Sequence, residues 1–368
     1  MFFGIPKEVR PLEFRVGLTP AAVDSLVRQG HQVAIEHNAG LNAGFTDANY
    51  EAAGGQIVYT EREVYGRADV VVKVGRPVEA EYDLFNPNQT ILSFLHLAVA
   101  SRDLIAVLEE KKITTIGYDT IQADNGSLPV LGITSEIAGR LSPNIAAEQL
   151  SSFQGGRGIL LSGVPGTPPA AVVVLGAGVL GFNAIRSFHR IGAQVVVLDK
   201  SLPRLQFIDN AFQGQVATMF ASPKSIAKAA VFADVLVSAA AIPGGKAPTL
   251  ITREILSQMR PRAVFIDFAI NSGGSAETSH PTTLNDPTYV EEGIIHYCVP
   301  NVPSRVARTA SYAMTNAILP YLLEMGEAGT HNAFESLSDL KRGVNTLEGK
   351  LIHPTVAATM RRQGDTSK

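Results

Sequence analysis

VVVLGAGVLG, residues Val172 to Gly181, carries an apolar strand into a glycine-rich turn, and QVVVLD, ending at Asp199, supplies the next strand beyond a helix-like segment. Strand, turn, helix and acid-terminated strand in that order make a dinucleotide-binding fingerprint in its required context. Gly176 permits the tight turn, Gly178 lets backbone N–H groups approach a pyrophosphate, and Gly181 lets the helix pack close to its strand. The helix N-terminus then faces the anion, with Val179 among the candidate cofactor-binding residues. Asp199 accepts hydrogen bonds from a ribose diol and repels a 2′-phosphate, which favours NAD(H) over NADP(H). Lys200 and Arg204 stand close enough in sequence to weaken that preference. An ordinary glycine-rich turn between strand and helix is the structural alternative.

The 368 residues suffice for two domains with substantial cores. A hydrophobic share of 45% and a charged share of 18% argue against disorder, and a net charge of −3 gives no reason to invoke nucleic acid or an acidic membrane surface. One cysteine, Cys298, excludes an intrachain disulfide and any cysteine-cluster metal site. It reads as structural, because no base near it in sequence would activate it. The eight histidines show no HExxH or other ligand spacing, so no metal is expected. Charges and proline interrupt MFFGIPKEVRP where a leader needs an apolar run, and no segment has the length and uniform apolarity of a membrane span. A cytoplasmic location is the expectation.

Short strand-like runs alternate with helical segments from the first residues onward. FFGIPKE, HQVAIEH, QIVYT, DVVVKVG, TILSFLHL and ITTIGY read as strands, and Pro20 to Gly30 as a helix with a proline start and a glycine stop. DVVVKVG is continuously apolar rather than alternating, as a buried parallel strand requires. A long helical stretch begins after Pro129, with Pro143 marking a kink or division, and a second covers Thr309 to Glu324 with a kink at Pro320. The expected architecture is α/β: two Rossmann-like parallel-sheet domains separated by a cofactor cleft. Residues 1–130 plus 306–368 form a discontinuous substrate-binding and catalytic domain. Residues 131–305 form the NAD-binding domain, including the linking helix.

GIPKEVRPLEFRVGLTP, FLHLAVASRDL, SEIAGRL, FQGGRGILLSGVPG, IPGGKAP, DFAINSGG and CVPNVPSRVARTAS, together with the glycine fingerprint, resemble the alanine dehydrogenase family. That family has the NAD-binding component of proton-translocating transhydrogenase among its wider relatives. The resemblance covers almost the whole chain. It implies reversible oxidative deamination of an amino acid, NAD(H) as cofactor, a small amino, imino or 2-oxo acid as substrate, and a homo-oligomer, commonly a hexamer. By position it makes Arg15 the carboxylate-binding residue and His96 the active-site acid or base. Read without it, Arg15 is more readily a surface ion-pair partner than a ligand-binding residue, and His96 is equally a core histidine. It also places Ser135 near the pyrophosphate, Arg204 and Ser222 on the adenosine side, and Ala240, Ile242, Asp267, Val299 and Asn301 in loops around the cofactor.

Two positions depart from the family pattern. Where alanine dehydrogenases read KVKEP, this chain reads KVGRP, so the second family lysine becomes Gly75. Strand alternation puts Lys73 on the face of Gly75, whereas Arg76 reaches the site only if the loop bends. Where the family has an acid in DIAIDQGG, this chain has Asn271 in DFAINSGG; an amide hydrogen-bonds but does not take a proton as a carboxylate does. With a cation and an acid both lost and space freed at Gly75, the expectation is an NAD-dependent amino- or imino-acid oxidoreductase whose substrate differs from alanine. Lys73 and Arg76 are its candidate replacement cations, and His96 with Asn271 its reacting groups. Authentic alanine dehydrogenase is the second reading, and an NAD-binding regulatory subunit without turnover the third.

Overall fold

The computed structural model describes residues 1–365 apart from 241 and 243, with side chains described as far as residue 361. The chain divides into two compact units. One is formed by Met1–Thr134 and the segment from Pro303 onward, the other by Ser135–Ile242 and Lys246–Val302.

The first unit opens with six strands: β1 (Phe2–Ile5), β2 (Gln32–Glu36), β3 (Gln56–Val58), β4 (Val70–Gly75), β5 (Thr90–Phe94) and β6 (Thr114–Gly117). They pair in parallel in the order β3-β2-β1-β4-β5-β6. The second unit contains β7 (Ala171–Leu175), β8 (Gln194–Asp199), β9 (Ala217–Phe220), β10 (Val235–Ser238), β11 (Val264–Asp267), β12 (Thr288–Glu291) and β13 (Ile294–Tyr297). Its parallel strands run β9-β8-β7-β10-β11-β13, the same winding as the first. Both units are therefore Rossmann-like α/β lobes, and in each the chain reverses its direction of sheet-building once, between β1 and β4 or between β7 and β10.

Each parallel sheet also carries antiparallel strands at one edge. In the second unit β12 lies antiparallel on β13. In the first, β14 (Val344–Leu347) lies antiparallel on β6 and carries β15 (Lys350–Leu351) beyond it. Both hairpins turn on a Glu–Gly pair with positive φ at both residues, Glu292 and Gly293 in one and Glu348 and Gly349 in the other. That geometry matches the right-handed twist of the flanking strands.

The uninterrupted apolar runs follow from coverage on both sheet faces. Val172 and Val174 of β7 pack with Ala184, Ile185 and Phe188 of the helix Val179–Ile191, whereas Val173 and Leu175 pack with Ile226 and Leu256 on the other face. In β4, Val70, Val72 and Val74 join Leu26, Met314 and Leu322, while Val71 faces Tyr65, Ile91 and Leu104. The valines of these central strands then have an apolar environment on either face, and period-2 alternation disappears from their sequence.

Neither interior proline divides its helix. Pro129–Leu150 and Ala307–Ala328 each run through, past Pro143 and Pro320. Ala138, Ile145 and Ala146 pack into one core cluster on both sides of Pro143, so tertiary burial holds the helix together across the missing hydrogen bond. Within the second unit that helix approaches Val179–Ile191 closely. A Cβ at Gly139 would sit 2.4 Å from the Leu180 carbonyl oxygen and 2.9 Å from the Asn183 Cβ. Gly139→Ala is expected to lower unfolding stability by about 1–3 kcal/mol through overpacking, read as a lower urea midpoint.

Candidate active site

Loops that leave the carboxyl ends of parallel strands meet at the point where the sheet order reverses. In the first unit those ends belong to β1, β4, β5 and β6, and they bring Glu8, Arg10, Glu13, Arg15, Gly75, Arg76, His96 and Asp119 together.

The loop after β1 is fixed by Glu8. Its buried carboxylate accepts the Val74 N–H at 2.6 Å and the Gly75 N–H at 3.3 Å, and stands 3.7 Å from Lys73 Nζ. Lys73, 1% exposed, donates to Glu81 Oε1 at 2.5 Å, an oxygen that also accepts the Tyr65 hydroxyl at 2.8 Å. The expected alternation between Lys73 and Gly75 is interrupted, because the β4–β5 register shifts between Val72 and Gly75. Lys73 is thereby enclosed by carboxylates at the sheet end.

Arg15 is also buried and already paired. Its Nε and Nη2 donate to the two Glu13 oxygens at 2.7 and 2.6 Å, and its guanidinium lies 6.0 Å from the Phe94 ring centroid. Arg76 bends inward, donating from Nη1 to the carbonyls of Leu95 and His96 at 3.3 and 3.0 Å. Arg10 donates from Nε to the Arg76 carbonyl at 2.8 Å. Sequence reasoning singled out neither Arg10 nor the acids Glu8, Glu13 and Asp119; a density of charge in KEVRPLEFR was the available signal.

His96 ends β5 in a left-handed conformation, φ 43° and ψ 48°, which costs a residue with a side chain roughly 1–2 kcal/mol. The turn is clamped from both sides. Asp119 Oδ1 accepts the Leu95 and His96 N–H groups at 3.2 and 3.4 Å, and Arg76 holds the His96 carbonyl. The ring, about one-fifth exposed by its 21% side-chain accessibility, stacks on Phe94 and turns Nδ1 toward Asp119 Oδ2 at 3.5 Å. Burial pushes the imidazole pKa down; Asp119 opposes that, and Arg76, Arg10 and Arg15 add to it.

In the second unit the glycine turn has the shape that a dinucleotide needs. Gly176 has φ +102°, a Cβ at Gly181 would fall 1.8 Å from the Gly176 carbonyl oxygen, and a Cβ at Gly178 would meet nothing within 4 Å. That open space lies at the N-terminus of the 13-residue helix Val179–Ile191, where Gly178 brings no side-chain cap to compete for the N–H groups. Asp199 accepts the Ala177 N–H at 2.7 Å on one oxygen and the Ser201 N–H at 2.7 Å on the other. Both oxygens keep lone-pair capacity for a diol. Arg204 is exposed, with Nη1 3.9 Å from Asp199 Oδ2. The chain's own residues therefore fit the adenosine diphosphate part of NAD(H).

The other expected cofactor residues, Ser135 apart, stand at or beyond carboxyl strand ends. Ser135 lies within the helix Pro129–Leu150, four residues before Gly139. Ser222 caps the helix Pro223–Ala230, its hydroxyl accepting the Ser225 N–H at 3.2 Å. Ala240 and Ile242 follow β10, with Ile242 48% exposed, while Val299 is buried and Asn301 follows β13. Asp267 is committed to its own loop: it accepts the N–H groups of Ala269 and Ser275 and the hydroxyls of Ser275 and Ser279. Asn271 ties that loop to the next by donating to the Pro300 carbonyl at 2.6 Å. Burial pushes the Cys298 thiol up to about 12, which suits a structural residue. Among the described residues no cluster of His, Cys, Asp and Glu is arranged to hold a metal ion, and no helix is long and apolar enough to cross a membrane.

The family model described as "Alanine dehydrogenase/PNT, N-terminal domain" matches residues 4–138, and "Alanine dehydrogenase/PNT, C-terminal domain" matches 142–354. The chain is 44% identical to the alanine dehydrogenase of Methanococcus maripaludis, over 97% of this chain and 96% of that one. It is 40% identical to the alanine dehydrogenase of Bacillus subtilis, over 97% and 94%. A solved structure titled L-alanine dehydrogenase superposes with a TM-score of 0.90 at 41% identity, covering 98% of this chain and 99% of that one.

Two measurements check the electrostatics. Lys73→Met leaves Glu81 and Glu8 without their buried cation and is expected to cost about 3–5 kcal/mol of unfolding stability. An NMR titration of the His96 ring is expected to give a midpoint below the usual value of about 6.5. Asp119→Asn is expected to lower that midpoint further, because it removes the carboxylate that favours imidazolium.

Proposed function

The chain belongs to the alanine dehydrogenase/PNT family, and on that premise we propose that it catalyses the reversible NAD-dependent deamination of L-alanine to pyruvate and ammonia. The expectation of a substrate other than alanine is corrected. Relatives named alanine dehydrogenase share 40–44% identity with the chain over nearly its full length. The space that Gly75 was expected to free is also not open, since the Arg10 side chain fills it: a Cβ on Gly75 would fall 2.9 Å from Arg10 Cδ. The observation that carries the reading is the clamped His96 beside Asp119 at the end of β5, with guanidinium groups around it.

NAD, when bound, accepts a hydride from the α-carbon. In this reading Gly176, Gly178, Val179 and Gly181 hold its pyrophosphate, Asp199 its ribose, and Ser135, Arg204, Ser222, Ala240, Ile242, Asp267, Val299 and Asn301 shape the surrounding loops. Arg15 keeps Nη1 for the substrate carboxylate after Glu13 has taken its other edge. Asp119 favours the tautomer with the proton on Nδ1 of His96, which leaves Nε2 to take a proton from the water that attacks the iminium carbon. A depressed pKa keeps that ring neutral, and so competent as a base, at pH 7. Lys73 holds the sheet end together through Glu81 and Glu8, Arg76 fixes the His96 carbonyl, and Asn271 positions its loop. A homo-oligomer acting in the cytoplasm belongs to the same proposal, on the strength of the resemblance.

The test is alanine-dependent reduction of NAD by the purified protein, with pyruvate- and ammonium-dependent oxidation of NADH as its reverse. Both are expected, and absence of both in a folded protein that binds NADH overturns the reading. His96→Ala is expected to reduce kcat by roughly 10²- to 10⁴-fold, the usual worth of a positioned acid–base group.

A further inference from the structure

A 2-oxo acid offers a carboxylate and a polarised carbonyl, and a cation whose charge is not already spent on a protein carboxylate attracts it more strongly than a paired one. Four cations stand at the carboxyl end of the first sheet, and two of them are paired with carboxylates. Lys73 is paired with Glu81 and Glu8 at 1% exposure. Arg15 gives Nε and Nη2 to Glu13. Arg76 has no carboxylate within ion-pair reach among the described residues, but its Nη1 is donated to the Leu95 and His96 carbonyls. Arg10 likewise faces no carboxylate among the described residues, and unlike Arg76 it keeps both terminal nitrogens. Only its Nε is engaged by a described partner, the Arg76 carbonyl, which orients the guanidinium and leaves Nη1 and Nη2 as a free fork.

The position of Arg10 is set by an absent side chain. A Cβ on Gly75 would lie 2.9 Å from Arg10 Cδ and 3.3 Å from Arg10 Nε, so any residue but glycine would displace it. Glu8 fixes the same backbone by accepting the Val74 and Gly75 N–H groups. Arg10 thus reaches past the end of β4 toward the turn that presents His96, and its charge is among those that depress the His96 pKa.

We propose that Arg10, lodged in the space that Gly75 leaves, is a substrate-binding residue whose free guanidinium edge receives the carboxylate of the 2-oxo acid next to His96. This rests on the alanine dehydrogenase reading and deepens it. Arg15, neutralised by Glu13, contributes one further donor and the aromatic floor of Phe94, while Arg10 supplies an unspent charge with both terminal nitrogens free. Glycine at 75 and arginine at 10 act as one unit.

The test compares the wild type with Arg10→Ala, Arg10→Gln, Gly75→Lys and the double variant Arg10→Ala/Gly75→Lys. KM for pyruvate and for NADH are measured, together with the Kd of pyruvate for the NADH-loaded enzyme without ammonium, followed by nucleotide fluorescence. Arg10→Ala and Arg10→Gln are expected to raise the pyruvate Kd and KM about 10- to 100-fold, the worth of a charge-assisted hydrogen bond, with KM for NADH within about twofold of wild type. Gly75→Lys alone is expected to weaken pyruvate binding by displacing Arg10. In the Arg10→Ala background the same lysine is expected to recover part of the binding, because it returns a cation to the vacated space. Arg10→Gln keeps most of the side-chain volume, so it reads the charge even where Arg10→Ala does not fold. A pyruvate Kd within about twofold of wild type in either Arg10 variant overturns the proposal, as does a double variant that binds no better than Arg10→Ala. Failure of the alanine dehydrogenase reading shows separately, as a wild type that binds NADH and turns over neither alanine nor pyruvate with ammonium.

Discussion

One buried carboxylate organises the carboxyl end of the first lobe's sheet. Glu8 accepts the backbone N–H groups of Val74 and Gly75 and faces Lys73, so it fastens the loop after β1 to the end of β4 at the point where the sheet order reverses. Arg10, Glu13 and Arg15 lie on that loop and take their positions from this attachment. Burial raises the Glu8 pKa, with the Lys73 charge opposing it. A carboxylate in such surroundings is tolerable only because two N–H donors and a cation meet it.

The rest of the charged cluster follows the same economy of partners. Glu81 is buried and serves Lys73, the Tyr65 hydroxyl and the Val78 N–H at once. Asp119 is nearly buried and divides itself between the backbone of the His96 turn and the His96 ring. Each acid both stabilises a local backbone feature and sets the charge state of a neighbour. Stability and chemistry at this sheet end are therefore coupled.

The two lobes share a winding and differ in what their strand ends carry. In the second lobe the β7 turn presents backbone N–H groups and little side chain, which suits a pyrophosphate. In the first, the corresponding end of β1 leads into a charged loop, which suits a small acid. Helices and strands cover the sheet faces in both lobes, so loops at the carboxyl strand ends are where polar groups can gather without breaking the core.

Much of this was legible in the sequence, for a local reason. Apolar runs covered on both faces, helix starts such as Pro20, the glycine fingerprint and the acid at Asp199 are each set by residues within a few positions of one another. The long helices were legible too, although Pro143 and Pro320 suggested breaks that packing on either side overrides. The antiparallel edges were missed, since Glu–Gly is a weaker hairpin signal than Asn–Gly and the strands beyond it are short. The fate of the charges was decided only by tertiary structure. Lys73 looked available until Glu81 and Glu8, 8 and 65 residues away in sequence, closed around it. Arg10 carried no motif until the missing side chain of Gly75 gave it space. Ion pairing depends on separations of a few ångströms, and those are set by strand register and loop attachment, which the order of residues along the chain does not state.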